Sequence, residues 1–530
     1  MANFDHPKSL LTGRQTTRRE FLAETTALAA AGVVVPGFIK EGAKAATPKR
    51  GGRLRMGITD AATSDTLDPA MSITIMQAVL THGVLQNNLV EIDHEGNVVP
   101  ELAESWESSP DASTWTFKLR KGVEFHNGKT MDADDVVASI NHHRGEDSTS
   151  AAKSILDAVE DIKADGKDTV VATLSGGNAD LPFLMSDYHL VIMPAEEGRV
   201  DWQSGVGTGG YSLTSFEPGV SATAKRNPNY WKEGRANFDA IEIIGIQDVV
   251  ARTNALMTGQ IDAMSTVDLK TVDRLKRKAG IRVEQSTGTS HKTFAMFTDV
   301  APFDDNNVRM ALKLSIEREE LVQKIWHGYA VLGNDQPIAT ANRFHAGDIP
   351  QRAYDPDKAK WHLKQAGLSS LKIDLSASDG AYSGAVDAAI LYKEHAAKAG
   401  IEINVIREPA DGYWSNVWLK KPFVAVSWSG RATEDWMFST AYAAGVAWND
   451  IHWNNERFNA LLIEARAELN QTKRADMYAE MQLLVRDQGG VVIPVFTSYV
   501  FAMADKVQHG PMWGNWDVDG LRLFERWWMA

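Results

Sequence analysis

Apolar and polar positions alternate along several short stretches of the chain. Trp115-Thr116-Phe117-Lys118-Leu119-Arg120 does so cleanly, as a half-buried strand should, and Asn127-Gly128 behind it is a tight-turn signal. Asp132 is placed to cap a helix over Ala133–His143. Gly51–Ile58 predicts an earlier strand and Met71–Leu85 a helix. Further on, Tyr211–Phe216, Ile241–Ile246, Ile281–Gln285 and Thr293–Phe297 predict strands, and Val249–Thr258 a helix closed by Gly259. Val308, Ala311, Leu312 and Ile316 fall on one face, so Asn307–Gly328 predicts one long amphipathic helix.

The pattern then becomes regular. Asp355-Pro356 opens a helix with a cap and a first-turn proline, and Gly367 ends it. Strand 371–376, helix 385–399, strand 401–406, a short helix at 411–419 and strand 423–428 follow. That order is a βαβαβ unit, hence a parallel sheet. Its third strand ends at Gly430 in a stretch that reads as a loop holding Arg431, Glu434 and Asp435 between Trp428 and Trp436. A loop at the carboxyl end of such a strand is where an α/β sheet offers a crevice for ligand. Helices at Phe458–Leu469 and Lys473–Arg486, a strand at Val491–Phe496 and a tryptophan-rich tail complete the chain.

At 530 residues the chain is too long for one core, and two or three lobes are expected. The absence of cysteine excludes disulfides, thiolate zinc sites, iron–sulfur clusters and cysteine catalysis. Sixteen tryptophans favour aromatic-lined clefts, although most are expected in cores. The N-terminus carries Arg18-Arg19-Glu20-Phe21-Leu22, a weakly apolar run to Ile39, and Ala43-Lys44-Ala45. This is the twin-arginine form of an export signal with a small-residue cleavage site. Residues 1–45 are expected to be removed, leaving a soluble periplasmic protein with no lipid anchor, since no cysteine follows the site. Removal takes a net +2 from a formal charge of −14 and leaves about −16. An acidic chain of this kind is a poor candidate for nucleic acid.

Gly205-Val206-Gly207-Thr208-Gly209-Gly210 formally matches the dinucleotide fingerprint. No clear strand precedes it and Tyr211–Phe216 reads as strand, so a tight crossing of backbones between lobes is the better reading. Neither G-x-S-x-G nor H-E-x-x-H occurs, and the fourteen histidines are scattered, which argues against an exported hydrolase or metalloenzyme.

The order of local motifs resembles one family. Gly51-Gly52-Arg53-Leu54 with Leu67-Asp68-Pro69, then Pro100-Glu101-Leu102-Ala103-Glu104-Ser105-Trp106, then Phe117–Arg120 through Phe125-His126-Asn127-Gly128 and Asp134-Asp135-Val136, are similar to successive blocks of the peptide, opine and nickel class of solute-binding proteins that serve bacterial ABC importers. Gly207-Thr208-Gly209-Gly210-Tyr211 resembles its Gly-Thr-Gly-Pro-Tyr turn, with Gly210 in place of proline. Asn229-Tyr230-Trp231, Ala255–Asp262, Val308–Leu312 and Tyr354–Ala359 also fit. The resemblance implies a periplasmic binding protein-like α/β fold: two main lobes, an extra third α+β lobe, and a ligand cleft between lobes. On that basis the first lobe takes 46–90, 205–300 and 506–530, the second 91–204, and the third 301–505. It implies no catalytic activity, cofactor or metal. It implies a monomer that closes over a small-molecule solute and delivers it to the permease subunits of the inner membrane.

In peptide binders of this class the loop after the tryptophan-bearing strand commonly presents an aspartate to the peptide's ammonium group. The aligned residue here is Arg431, which reverses the charge and suits a carboxylate, sulfonate or phosphate. The expected cargo is therefore an anionic or zwitterionic organic solute, such as an amino-acid conjugate, an opine-like molecule or an acidic peptide. A general di- or oligopeptide binder is the alternative, with metal or haem transport behind it. Arg431 can instead pair with Glu434 or Asp435 in its own loop. By family analogy Trp428 lines the pocket and Ser64 and Thr66 face it from the N-terminal loop; Tyr442, Trp448 and Asn449 follow in a polar-aromatic loop placed to complete its wall, and Glu434, if it points inward, admits a ligand with an ammonium group as well as an anion.

Overall fold

Arg53–Ile58 nucleates the first main lobe. Leu54, Met56 and Ile58 are fully buried, and the strand pairs in parallel with Ala240–Gly245 on one side and Ala263–Met264 on the other. Tyr211–Glu217 and Ser221–Arg226 extend the sheet as an antiparallel hairpin. The computed structural model describes residues 48–410, 412–514 and 516–530. The predicted export signal at 1–45 lies outside them. No helix among the described residues is long and apolar enough to cross a membrane.

The second main lobe forms around the predicted parallel unit. Its strands run Ile401–Arg407, Leu371–Ala377, Phe423–Trp428 across the sheet, all parallel, with helix Ala385–Ala397 packed against them. Phe294, Leu312, Leu375, Val426 and Ile493 lie in its core. The smaller lobe, predicted over 91–204, is antiparallel: Ala103–Ser108, Thr114–Leu119, Thr169–Leu174 and Val159–Ala164 in that order, covered by helix Ala133–Asn141. Asp132 caps that helix in a reciprocal capping box with Asp135.

Two long strands join the main lobes into one continuous sheet. Ile281–Met296 and Val491–Ala504 pair antiparallel along most of their length, with Val283 and Ala502 in one lobe and Phe294 and Val492 in the other. The sequence predicts two strands in 281–297, broken by the polar run Ser286-Thr287-Gly288-Thr289-Ser290; the structure keeps one. Pairing with Val491–Ala504 holds that run extended, and only the ladder lapses, between Thr287 and His291. Conversely, the single helix predicted over Asn307–Gly328 is two, Asn306–Leu314 and Arg318–Lys324. Glu317 is extended between them. The fully buried Arg318 turns back to the Lys313 carbonyl at 3.1 Å and to Asp335 at 2.7 Å, which a continuous helix would not allow.

The glycine turn is a close crossing, as its composition implies. A Cβ on Gly207 would lie 2.1 Å from the Leu85 carbonyl oxygen, and one on Gly209 2.4 Å from that of Val84. We expect Gly207→Ala to destabilise the protein by at least about 2 kcal/mol, because backbone must move to admit the methyl group. Thermal melts of the variant and the parent check this.

Candidate functional site

Phe423–Trp428 is rich in β-branched and aromatic residues and almost wholly buried, as a central strand requires. It leaves the sheet at Gly430, where Thr289 packs so closely that a Cβ would meet its hydroxyl oxygen at 1.6 Å. The chain then turns into helix Glu434–Ala441, with the Thr433 hydroxyl accepting from the Trp436 N–H at 3.2 Å. Glu434 and Asp435 therefore occupy the first turn of a helix, not the loop that the sequence predicts, because Thr433 supplies an N-cap.

This turn separates the three charges. Glu434 is buried and accepts a 2.6 Å hydrogen bond from the Phe344 N–H. Burial raises its carboxyl to about 7 against that bond. Asp435 pairs with Arg466 at 3.1 Å, and burial raises it to about 6. Arg431 pairs with neither. Its Nη1 donates to the Ser429 and Gly430 carbonyl oxygens, both at 3.1 Å, and to the Ser429 hydroxyl at 3.2 Å. Its guanidinium stands 5.5 Å from the Trp436 ring centre. Among the described residues Nε is buried without a partner and Nη2 makes no hydrogen bond. Burial lowers its pKa, Asp187 and Tyr188 oppose that, and the group stays charged.

Glu434 provides a test of its own. Its folded pKa of about 7 exceeds the ordinary 4.5, so the folded state binds the proton more tightly than the unfolded chain. Stability therefore falls as pH rises from 4.5 through 7 and stays low above that. Glu434→Gln keeps an acceptor for Phe344 and abolishes the ionisation. The variant should be more stable than the parent at pH 8, by about 2 kcal/mol, with no gain at pH 4, as read by chemical denaturation at the two pH values.

The remaining predicted residues divide into groups. The Trp428 and Trp418 indoles both donate to one Asp450 oxygen, at 3.2 and 3.1 Å. Trp448 lies over both, ring centres 6.3 and 6.1 Å away, and is 48% exposed. Asn449 staples its loop, donating to the Ala443 and Trp453 carbonyls and accepting from the Trp453 N–H. Tyr442 is buried against Phe438. Ser64 is exposed in the loop after strand Arg53–Ile58, and the Thr66 hydroxyl accepts from the Asp68 N–H at 2.8 Å. Trp428, Trp448 and Asn449 thus gather near Asp450, while Arg431 stands over Trp436 and feels Asp187 and Tyr188.

Loops after strands Arg53–Ile58, Ala240–Gly245 and Ala263–Met264 of one main lobe and after Leu371–Ala377 of the other meet at one cleft. Part of it is a cavity of about 820 Å³, with Thr59 and Thr266 on one side and Trp326 and Tyr382 on the other, whose lining includes none of the predicted site residues. Lys292 of the long connecting strand also lines it. Sequence reasoning missed Lys292, Asp187 and Tyr188. For Lys292 a signal existed: a lysine inside the otherwise apolar strand end Thr293–Met296. Nothing local marks Asp187 or Tyr188, which reach Arg431 only through the fold. Among the described residues no group of three or more His, Asp or Glu side chains is placed to hold a metal ion.

Residues 97–450 match the profile of bacterial extracellular solute-binding proteins, family 5 Middle. The chain belongs to this family. The solute-binding protein is 26% identical over 454 residues to heme-binding protein A of Haemophilus influenzae, covering 78% of this chain and 82% of that one. It is 25% identical over 452 residues to the dipeptide-binding protein of Escherichia coli K12, covering 77% and 83%. The binding protein AgaA of A. tumefacien R10, solved with agropinic acid, superposes with a TM-score of 0.71 at 23% identity, over 90% of this chain and 99% of that one. The three-lobed fold and its cleft are those of periplasmic binding proteins of this type. The protein is the substrate-binding component of an ABC importer.

Proposed function

We propose that this solute-binding protein captures a small anionic or zwitterionic organic solute in the periplasm and delivers it to an inner-membrane permease. The solute is an amino-acid conjugate, an opine-like molecule or an acidic peptide. One observation carries this reading: among the described residues the Nε–Nη2 edge of Arg431 has no hydrogen-bond partner. That edge is the fork that grips a carboxylate through two parallel hydrogen bonds. On the surface of the same molecule, Arg457 fills it with Glu480, at 2.8 Å from both nitrogens. Arg431 has no such acid, although a buried N–H without a partner is costly. A bound anion would remove that cost. AgaA, which shares the fold, was solved with an acid in place, which is compatible with an acidic cargo here.

The test is to purify the protein from its own host, denature it, and identify what is released by mass spectrometry. Release of a molecule with at least one carboxylate, sulfonate or phosphate is the expected result. A released peptide or cation with no free acidic group would overturn the proposal in favour of a different cargo.

A further inference from the structure

We propose that Lys292 is a second anion anchor in the same cleft, so that the captured solute carries two acidic groups, one gripped by Arg431 and one by Lys292. The inference rests on the anionic reading of Arg431 and adds a second charge to it.

The sheet itself sets the geometry. Lys292 pairs with Ser427, and His291 with Trp428, across neighbouring strands. Lys292 Nζ donates to the Ser427 hydroxyl at 2.8 Å and approaches that of Ser290 at 3.5 Å. Side chains two apart on a strand share a face, so Ser290 and Lys292 lie with Ser427 and Ser429. Ser429 in turn receives Arg431. A row of hydroxyls thus runs between two cations. Ser427 and Arg431 are four positions apart, at most about 14 Å of extended chain.

Among the described residues neither cation has a carboxylate within ion-pair distance, although Asp187 acts on Arg431 from further off. Among the described residues no carboxylate pairs with Lys292; its other contact is the Tyr382 ring, 5.6 Å away. Burial lowers its pKa to about 8 and no neighbouring charge shares in the shift, so it is a cation at neutral pH. Asp248, Asp268, Asp379 and Asp387 line the same cavity without pairing with Lys292; Asp517 lines it too, one of its oxygens accepting from the Val518 N–H, and burial raises its carboxyl to about 6. It does not act on Lys292. Elsewhere Lys232 meets three carboxylates at 2.6 to 3.0 Å and the fully buried Lys313 meets three carbonyl oxygens at 2.8 to 3.3 Å, whereas among the described residues Lys292 has only serine hydroxyls.

The cavity beside Lys292 is also short of hydrogen-bond partners. Tyr329 and Tyr382 both line it, are 7% and 8% exposed, and have hydroxyls without a partner among the described residues. Two orphaned donors beside an unpaired ammonium fit an acceptor-rich group such as a carboxylate.

Two measurements test this. The solute released from protein of the native host should carry two acidic groups. A single acidic group would overturn the role of Lys292 and leave that of Arg431 standing; none would overturn both. In parallel, α,ω-dicarboxylates from glutarate to sebacate are titrated against their monomethyl esters by calorimetry. At least one diacid should bind ten-fold or more tighter than its ester. Lys292→Met should erase that preference, Lys292→Gln serving if the Met variant melts early, and Arg431→Ala should weaken diacid and ester alike. A preference that survives in the Lys292 variants sinks the second anchor. Wild-type protein that ignores every acid in the series sinks both anchors.

Discussion

Replacing Arg431 with alanine should reduce affinity for the native solute by a hundred-fold or more while leaving the melting temperature of the empty protein unchanged or raised. The asymmetry follows from its contacts. Within the protein the side chain bonds only its own turn, through Nη1, and a hydroxyl and two carbonyls there can turn to water when it is gone. The fork edge gives the fold nothing. In the complex, truncation would leave the solute's anion facing a closed cleft without a partner. Breaking a buried charge pair from one side costs about 2–5 kcal/mol, and 2.7 kcal/mol is already about a hundred-fold in Kd. Arg431→Lys separates charge from geometry. It keeps the cation but loses the parallel pair of donors, so it should recover part of the affinity and not all of it. Calorimetry with the released solute reads each affinity. Native affinity in the alanine variant would make Arg431 a loop residue and end the proposal.

Much of this fold was legible because its signals are local. The βαβαβ alternation, the caps at Asp132 and Asp355, and the glycines at 207 and 209 each act within a few residues or through one tight contact. The errors arise where a distant partner decides. Ser286–Ser290 reads as a break, but a strand two hundred residues away holds it extended. Asn307–Gly328 reads as one helix, but Asp335 draws Arg318 into the core. The site behaves in the same way. Arg431 was recognisable from its place after the third strand. Its freedom from Glu434 and Asp435 was not, because Phe344 and Arg466, which occupy those acids, lie elsewhere in sequence. Lys292 was hidden for a related reason: a charged residue in a strand normally points to water, and only the cleft makes it otherwise.

The largest loss of stability should come from a residue far from the cleft. Glu101, in the Pro100–Trp106 block that carries much of the family resemblance, is fully buried. It accepts from both Arg522 terminal nitrogens at 2.6 and 2.9 Å, from Lys232 at 2.7 Å, from the Asn87 amide at 2.8 Å and from the Asn88 N–H at 3.1 Å. Lys232 follows the Asn229-Tyr230-Trp231 block, and it also holds Glu91 and Glu525. Arg526 holds Glu91 and Asp519. Three distant parts of the chain, including its last turn, are thus tied through one buried cluster of three cations and four acids. Glu101→Ala would strand Arg522 and Lys232 without their central acid, and removing one partner of such a group costs about 3–5 kcal/mol. By contrast, breaking the exposed Arg457–Glu480 pair should leave stability nearly unchanged, because water and salt screen it. The cluster also sets an acid limit. Burial works to raise the Glu525 carboxyl, but Lys232 and Arg522 outweigh it and hold it at about 2, below the ordinary 4.5. Its contribution is complete above pH 4.5 and drains away as pH falls toward 2. Denaturation of the parent should therefore weaken steeply over that interval. Glu101→Ala, with the cluster already broken, should show a shallower dependence there, and an equally steep one would mean that the cluster does not act as a unit.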